Sequence, residues 1–262
     1  LLFGLPIFAA LALAVTAALY TFGAVDPLVV PMRMFSGMNN FALMSVPFFI
    51  LAAELMRIGG LSDRLIELAR ALIGWLPGGL GAATVLACLF FGSISGSSPA
   101  TVIAIGTIMY PVMVQAGYNK FFAIGLITTA GTLGPIVPPS IPLIIYGSVT
   151  GTSVGKLFAG GVVPALVVAA LLIGYSCWYA VRNKYPRDPF PSMRQIAHAL
   201  KRSALGVGLP VILLGGIYSG VFTPTESAAA ACLYAWFVGG IVYKNIGFKS
   251  LLEILRNTGL LS

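Results

Sequence analysis

The stretch GSISGSSPAT, residues 92–101, decides how this chain is read. It is small, hydroxyl-rich and carries a proline, yet ATVLACLFF precedes it and VIAIGTIMYPVMV follows it. Both arms are as apolar as lipid. An unpaired N–H or C=O in hydrocarbon costs several kcal/mol, so irregular backbone is tolerated at membrane depth only where protein buries it or where it lines a watery cavity. Each arm is shorter than the roughly 20 apolar residues of a full crossing, which suits a re-entrant helical hairpin within residues 80–114 better than two spans.

The rest of the composition agrees with a membrane setting. Of 262 residues, 58% are hydrophobic and 8% charged, and mean hydropathy is +0.98. A soluble domain carries about 25% charged residues. The apolar runs do not alternate with polar residues, which excludes a β-barrel and leaves an all-α polytopic membrane protein. The net charge of +8 comes from basic residues between apolar runs, where membrane topology places them, and is not a nucleic-acid signature. Cys88, Cys177 and Cys232 lie far apart in apolar stretches and read as packing residues. His198, the single histidine, reads as a solvated loop residue beside basic neighbours. No secretory signal stands out, and both ends read as cut from a longer chain.

Moving outward, residues 1–25 form one expected span, 26–40 a connector at the interface, and 41–56 a second span. Residues 57–79 mix Arg57, Asp63, Arg64, Glu67 and Arg70 with leucines at helical spacing, the pattern of an amphipathic interfacial helix. Residues 121–149 read as one crossing interrupted by GPIVPPS, residues 134–140. Pro135, Pro138 and Pro139 lack the backbone donor and clash with the preceding turn, so this is a discontinuous helix. Residues 157–181 form a clean span, 182–202 a charged, proline-containing loop, and 203–222 and 224–243 two further spans.

Charge supports this order. With the 182–202 loop in the cytoplasm, 13 of the 15 basic residues fall inside, and only Arg33 and Lys156 fall outside. The pattern survives only if residues 80–114 return to their starting side.

Two backbone breaks so close in sequence suggest one site. A helix ending in mid-membrane offers free carbonyls, and one starting there offers free N–H groups. Carbonyls and the hydroxyls of Ser93, Ser95, Ser97, Ser98 and Ser140 are hard ligands for a hard cation, while N–H ends attract anions. Discontinuous helices that bind ion and substrate are a mark of secondary transporters. Small-residue runs also occur where membrane helices merely pack closely, which is the competing reading of residues 92–101 taken alone. Glu54 stands three residues before Arg57, as a local ion pair requires. Thr223, Pro224 and Glu226 form a capping box, which suffices to explain that acid.

LFFGSISGSSPATVIAIGTIMYPVM (89–113) with GYNKFFAIGLITTAGTLGPIVPPSIPLIIYG (117–147) closely resembles the large membrane (M) subunit of the tripartite ATP-independent periplasmic, or TRAP, transporters. KLFAGGVVPAL (156–166) and GVFTPTESAAAACLYAW (220–236) also look like that family, and the resemblance covers essentially the whole chain. It implies the inverted-repeat plan of an elevator-type carrier. It further implies sodium-driven uptake of an organic acid, such as a C4-dicarboxylate or sialic acid, across the bacterial inner membrane. The implied partners are a periplasmic substrate-binding protein and a small membrane (Q) subunit, separate or fused.

By position, the resemblance implies a sodium site between the hairpin tip, Ser95, Gly96, Ser97 and Ser98, and the facing carbonyls of Gly134, Val137 and Pro139. Ser98 and Ser140 are the implied substrate contacts. The expected division is scaffold spans and amphipathic helix in 1–78, transport-core hairpin and broken helix in 79–150, a span and loop in 151–202, and the start of a second repeat in 203–262. GLPI (4–7) and GLPV (208–211) are candidate repeat starts. Only the first hairpin and broken helix are present, so the chain is expected to be part of a longer subunit and not to transport alone.

Rival functions are judged on the same residues. A serine hydrolase needs a base near Ser95 or Ser97, and a metalloprotease needs paired histidines; neither is available. A non-transporting assembly subunit would not need oxygen-lined breaks. A single-component sodium-coupled anion carrier would not need a binding protein.

Overall fold

Glycines, prolines and hydroxyl residues punctuate an otherwise apolar chain into helices. The computed structural model describes residues 7–22, 26, 28–39, 41–185 and 187–261. In order these are α1 (Ile7–Phe22), α2 (Val29–Met38), a 3-10 turn (Phe41–Met44), α3 (Ser45–Ile58), α4 (Leu61–Ile73), α5 (Gly79–Ser95), α6 (Ser98–Gln115) and α7 (Lys120–Gly131). They are followed by α8 (Ile141–Thr150), α9 (Val154–Asn183), α10 (Met193–Tyr218), α11 (Pro224–Trp236), a π-helical turn (Phe237–Val242) and α12 (Phe248–Leu261). No strand occurs among the described residues. The first expected span is thus α1 over Ile7–Phe22; the rest of 1–25, including Gly4, Leu5 and Pro6 of the candidate repeat start, lies outside the described residues.

Hydrogen bonds and close contacts set the helix directions. Thr225 Oγ1 donates to Phe41 O, Cys232 Sγ to Phe48 O and Asn245 Nδ2 to Gly59 O, so α3 and α11 run parallel. Tyr234 Oη donates to Leu205 O and Ser227 Oγ to Leu213 O, so α10 runs antiparallel to α11. Thr84 Oγ1 meets Met113 Sδ across α5 and α6, making them an antiparallel hairpin. Phe122 stacks on Tyr179, Gly161 faces Ile136 and Pro138, and Gly147 faces Val154 and Leu157. The α7–break–α8 segment therefore lies antiparallel along the length of α9, as one interrupted helix should.

These directions bring the turns at 57–60, 74–78, 116–119, 183–192 and 243–247 to one face. Asp188 N–H donates to Gly74 O, Asn119 N–H to Tyr185 Oη, and Asn245 to Gly59, linking turn to turn. Arg57, Arg70, Lys120, Arg182, Lys184, Arg187 and Lys244 belong to that face. Lys156 belongs to the other, where Gly155 faces Ile217 and Phe41 meets Thr225. The hairpin returns the chain to its starting side, which the charge count requires.

Among the described residues, five helical stretches are long and apolar enough to cross a membrane: Phe41–Ile58, Ser98–Gln115, Val154–Asn183, Met193–Tyr218 and Pro224–Val242. The second corrects the expectation that neither hairpin arm has the length of a span. The helix of α6 continues through Pro111 to 18 residues, about 27 Å at 1.5 Å per residue. An antiparallel pair returns the chain to the same side whatever its depth, so the topology is unaffected.

Two other expectations are corrected. Residues 193–202 are helix rather than loop, because Ser192 and Gln195 form a capping box that starts α10 ten residues early. His198 is accordingly an exposed residue on a helix. The amphipathic stretch forms α4, but its apolar face is not left for the lipid interface. Leu61, Leu65, Leu68 and Ala69 are buried, and α4 packs on α5 and α10. An amphipathic pattern demands an apolar cover and does not say whether lipid or protein supplies it. Glu54 does pair with Arg57 at 2.7 Å, and no disulfide joins the three cysteines.

The buried residues form two cores. One joins α5, α6, α7 and the inner face of α9; the other joins α3, α10, α11 and α12. α4 contributes Ile66 and Ala69 to the first, and Leu61 and Leu65 to the second. Lipid tails are as apolar as leucine, so membrane helices associate through close packing rather than water exclusion. Gly81 of α5 accordingly lies directly against Ser176 of α9, and Gly59 and Gly239 approach backbone to backbone between α3 and the π turn.

Candidate functional site

The hairpin turns in two residues. Gly96 ends α5 at φ 59°, a left-handed conformation that glycine adopts without penalty. Ser97 is extended, and α6 starts at Ser98 with Pro99 in its first turn and no side-chain cap. The interrupted helix ends at Gly131, passes through turns from Thr132 to Ile136 and the cis Pro138–Pro139 bond, and resumes at Ile141.

The prolines account for two of the carbonyls left over. In a continuous helix the N–H of residue i+4 would satisfy the carbonyl of residue i. Pro138 removes the donor for Gly134, and Pro139 removes the donor for Pro135. Pro135 O is recovered by the Ser140 hydroxyl, which also accepts Leu143 N–H at 3.3 Å and so caps α8. Among the described residues nothing donates to the carbonyls of Gly134, Ile136, Val137, Pro138 or Pro139, and that of Ile136 lies against Gly161 of α9. A buried carbonyl left without a partner costs about 1–3 kcal/mol.

The tip is seated in this break. Ile141 N–H donates to Gly96 O at 3.3 Å. A Cβ on Gly96 would stand 2.8 Å from Pro139 O, one on Gly134 2.7 Å from Ser97 O, and one on Gly92 2.9 Å from Gly134 Cα. Glycine is required at all three positions because backbone meets backbone there. Inside the tip, Thr101 Oγ1 donates to Ser97 O at 2.7 Å and lies 2.9 Å from Ser95 Oγ, while Ser97 N–H reaches Ser95 Oγ at 3.4 Å.

The structure therefore brings together most of the residues singled out from sequence: Ser95, Gly96 and Ser97 on one side and Gly134, Pro139 and Ser140 on the other, with the Ser98 carbonyl beside Gly131 at the edge; Val137 lies in the same break, its N–H donating to Leu133 O. Ser95 and Ser140 are fully buried, whereas Ser97 and Ser98 are partly exposed, so the seam opens on their side. Ser93 stands apart, its hydroxyl donating to Phe90 O within its own helix. Sequence reading missed two members. Thr101, the last residue of the opening stretch, supplies the hydroxyl that holds the tip. Gly92, its first residue, lets the break approach α5; its place one helical turn before Gly96 was the available signal.

Every donor to a bound ion here would be a neutral oxygen. Neither 92–101 nor 131–141 contains a titratable side chain, and among the described residues no cluster of histidine, cysteine or acidic residues suits a metal. Carbonyl and hydroxyl oxygens without carboxylates suit a hard cation of low charge. Glu226 is explained by its cap: its carboxylate accepts Thr223 N–H at 2.8 Å, and Thr223 Oγ1 accepts Glu226 N–H at 3.3 Å.

A helical, multi-pass membrane protein with a hairpin seated in a broken helix is the class defined so far. Over residues 1–262 the sequence matches the family described as tripartite ATP-independent periplasmic transporter, DctM component, and the chain belongs to that family. It is 40% identical over 277 residues to the C4-dicarboxylate TRAP transporter large permease protein DctM of Rhodobacter capsulatus, covering 100% of this chain and 63% of that protein. It is 40% identical over 256 residues to the isethionate TRAP transporter permease protein DctMQ of Oleidesulfovibrio alaskensis, covering 97% of this chain and 40% of that protein. It is 40% identical over 226 residues to the sialic acid TRAP transporter large permease protein SiaM of Vibrio cholerae, covering 86% and 53%. The chain thus spans between 40 and 63% of the length of these relatives, whose names are those of transporter permeases rather than enzymes.

Proposed function

We propose that this chain carries the first ion-binding half of the large membrane subunit of a sodium-coupled TRAP transporter in the bacterial inner membrane. The observation behind this reading is the seam itself: a hydroxyl-lined hairpin tip closing on a helix break with unpaired carbonyls at Gly134, Val137 and Pro139. Sodium as cargo would be held by these carbonyls with the tip residues Ser95, Gly96, Ser97 and Ser98. The uncapped start of α6 at Ser98 is the end suited to an anionic substrate group, and Ser140 borders the same seam while starting α8. The substrate is a small organic acid, in keeping with the dicarboxylate, isethionate and sialic acid named for the relatives. A periplasmic binding protein delivers it, and a small membrane subunit completes the complex. Hairpin and broken helix move together against a scaffold that includes α3 and α11, as an elevator.

Uptake of candidate acids into proteoliposomes tests this reading. The preparation needs the full-length subunit, its small partner and the cognate binding protein, with and without an inward sodium gradient. Uptake that requires both sodium and the binding protein is expected. Sodium-driven uptake without the binding protein would replace it with a single-component carrier, and uptake indifferent to sodium would remove the ion from the seam.

A further inference from the structure

We propose that Thr101 is a positioning residue for the ion seam: its hydroxyl sets the direction of the hydrogen bonds in the tip, so that Ser95 turns a lone pair rather than a proton toward a bound cation. The inference rests on the sodium reading above and adds a residue that touches no cargo itself.

Thr101 Oγ1 is fully buried and has one hydrogen. Its shortest contact is Ser97 O, at 2.7 Å, which identifies the acceptor of that hydrogen. The Ser95 hydroxyl then donates to Thr101 Oγ1 at 2.9 Å, and its own lone pairs receive Ser97 N–H at 3.4 Å with one left over. The chain runs Ser95 O–H to Thr101 O–H to Ser97 C=O, in one direction. Remove the Thr101 hydroxyl and the nearest acceptor for Ser95 becomes Ser97 O itself, 3.3 Å away, which rotates the Ser95 lone pairs within the tip. Thr101 Oγ1 also stands 2.9 Å from where a Cβ on Gly134 would be, so the same side chain abuts a residue whose carbonyl is unpaired. Chains of hydrogen bonds reinforce one another in a low-dielectric interior, so one hydroxyl there governs its neighbours.

The test compares Thr101→Val, which keeps the shape and loses the hydroxyl, with Thr101→Ser, which keeps the hydroxyl and loses a methyl. The full-length complex is titrated with sodium in detergent, reading the ion-dependent rise in melting temperature, and in proteoliposomes, reading half-saturation of uptake by sodium. Thr101→Val is expected to raise the half-saturating sodium concentration about tenfold, the size of one buried hydrogen bond, with substrate KM at saturating sodium unchanged. Thr101→Ser is expected to restore it. A wild-type complex that ignores sodium in both readouts would overturn the sodium reading. A sodium-dependent wild type with Thr101→Val indistinguishable from it would overturn this inference alone. Should Thr101→Val not fold, Ser95→Ala carries the test: it leaves the Thr101 bond to Ser97 in place and is expected to weaken sodium by a similar factor. Wild-type affinity in Ser95→Ala would overturn the proposal equally.

Discussion

Replacing Gly134 by alanine strains the seam at a single point. The added carbon would stand 2.7 Å from Ser97 O and 2.9 Å from both Ser97 C and Thr101 Oγ1. Ordinary contact begins at 3.4 Å, so tip and break must part by about 0.7 Å. Two of the three obstructing atoms are backbone, and the third belongs to a β-branched side chain held by a 2.7 Å hydrogen bond. Nothing can swing aside. Overpacking of this kind costs about 1–3 kcal/mol. If the ion-bound state needs the seam closed, that cost falls on binding and weakens sodium by about 5- to 150-fold. Gly125→Ala is the control, because a carbon added there meets nothing within 4 Å and lies on the same interrupted helix. The assay is the sodium concentration for half-maximal uptake by the reconstituted full-length complex, alongside sodium-dependent thermal stabilisation. A Gly134→Ala protein whose half-saturation stays within about twofold of wild type would refute the reasoning, since 1 kcal/mol already corresponds to more than that.

The prolines of the break, the uncharged lining of the seam and the cap of α11 each carry a further prediction. Pro138→Ala with Pro139→Ala returns N–H donors to the carbonyls of Gly134 and Pro135; the break should tighten toward helix and uptake should fall, and normal sodium-driven uptake would show that the break is not needed. Sodium affinity should be flat between about pH 5.5 and 8.5, because neither segment of the seam holds a group that titrates there; a sloping profile would reveal an acid or base that the seam does not contain. Glu226→Gln should preserve the cap and the pH profile of uptake, whereas Glu226→Ala should cost about 1 kcal/mol of stability, read as a lower melting temperature; a shifted pH profile in the glutamine variant would assign that acid to proton movement instead.

Much of the architecture was legible in the sequence for a simple reason. In a membrane, apolar length sets the spans, and only proline, glycine and hydroxyl residues interrupt them. The interruptions at SISGSSP and GPIVPPS therefore announced a hairpin and a broken helix, and the basic residues announced which turns share a face. Helix starts within polar stretches were less legible. Ser192 and Gln195 are an ordinary capping pair, but the basic residues and prolines around them read as loop, which hides the first ten residues of α10. The serine hydroxyls of both breaks are readable from the residues themselves, whereas the facing carbonyls of Gly134, Val137 and Pro139 come from family resemblance; residues 92–101 taken alone stay open between packing and binding.

Tertiary structure decided what covers what. Local periodicity shows that α4 has an apolar face, yet whether lipid or α5 and α10 meet it depends on contacts between residues distant in the chain, such as Glu67 with Arg202 at 2.9 Å. The same holds for the seam. The prolines determined that Gly134 and Pro135 lose their helical donors, because that follows from covalent geometry. Which carbonyl is then recovered by Ser140, which are left unpaired, and that Thr101 holds Ser97 while Gly92 and Gly134 touch, followed only once the hairpin tip was seated in the break. Backbone chemistry is local and readable residue by residue. The pairing of two breaks some 40 residues apart is a property of packing, and packing is where the sequence alone stops.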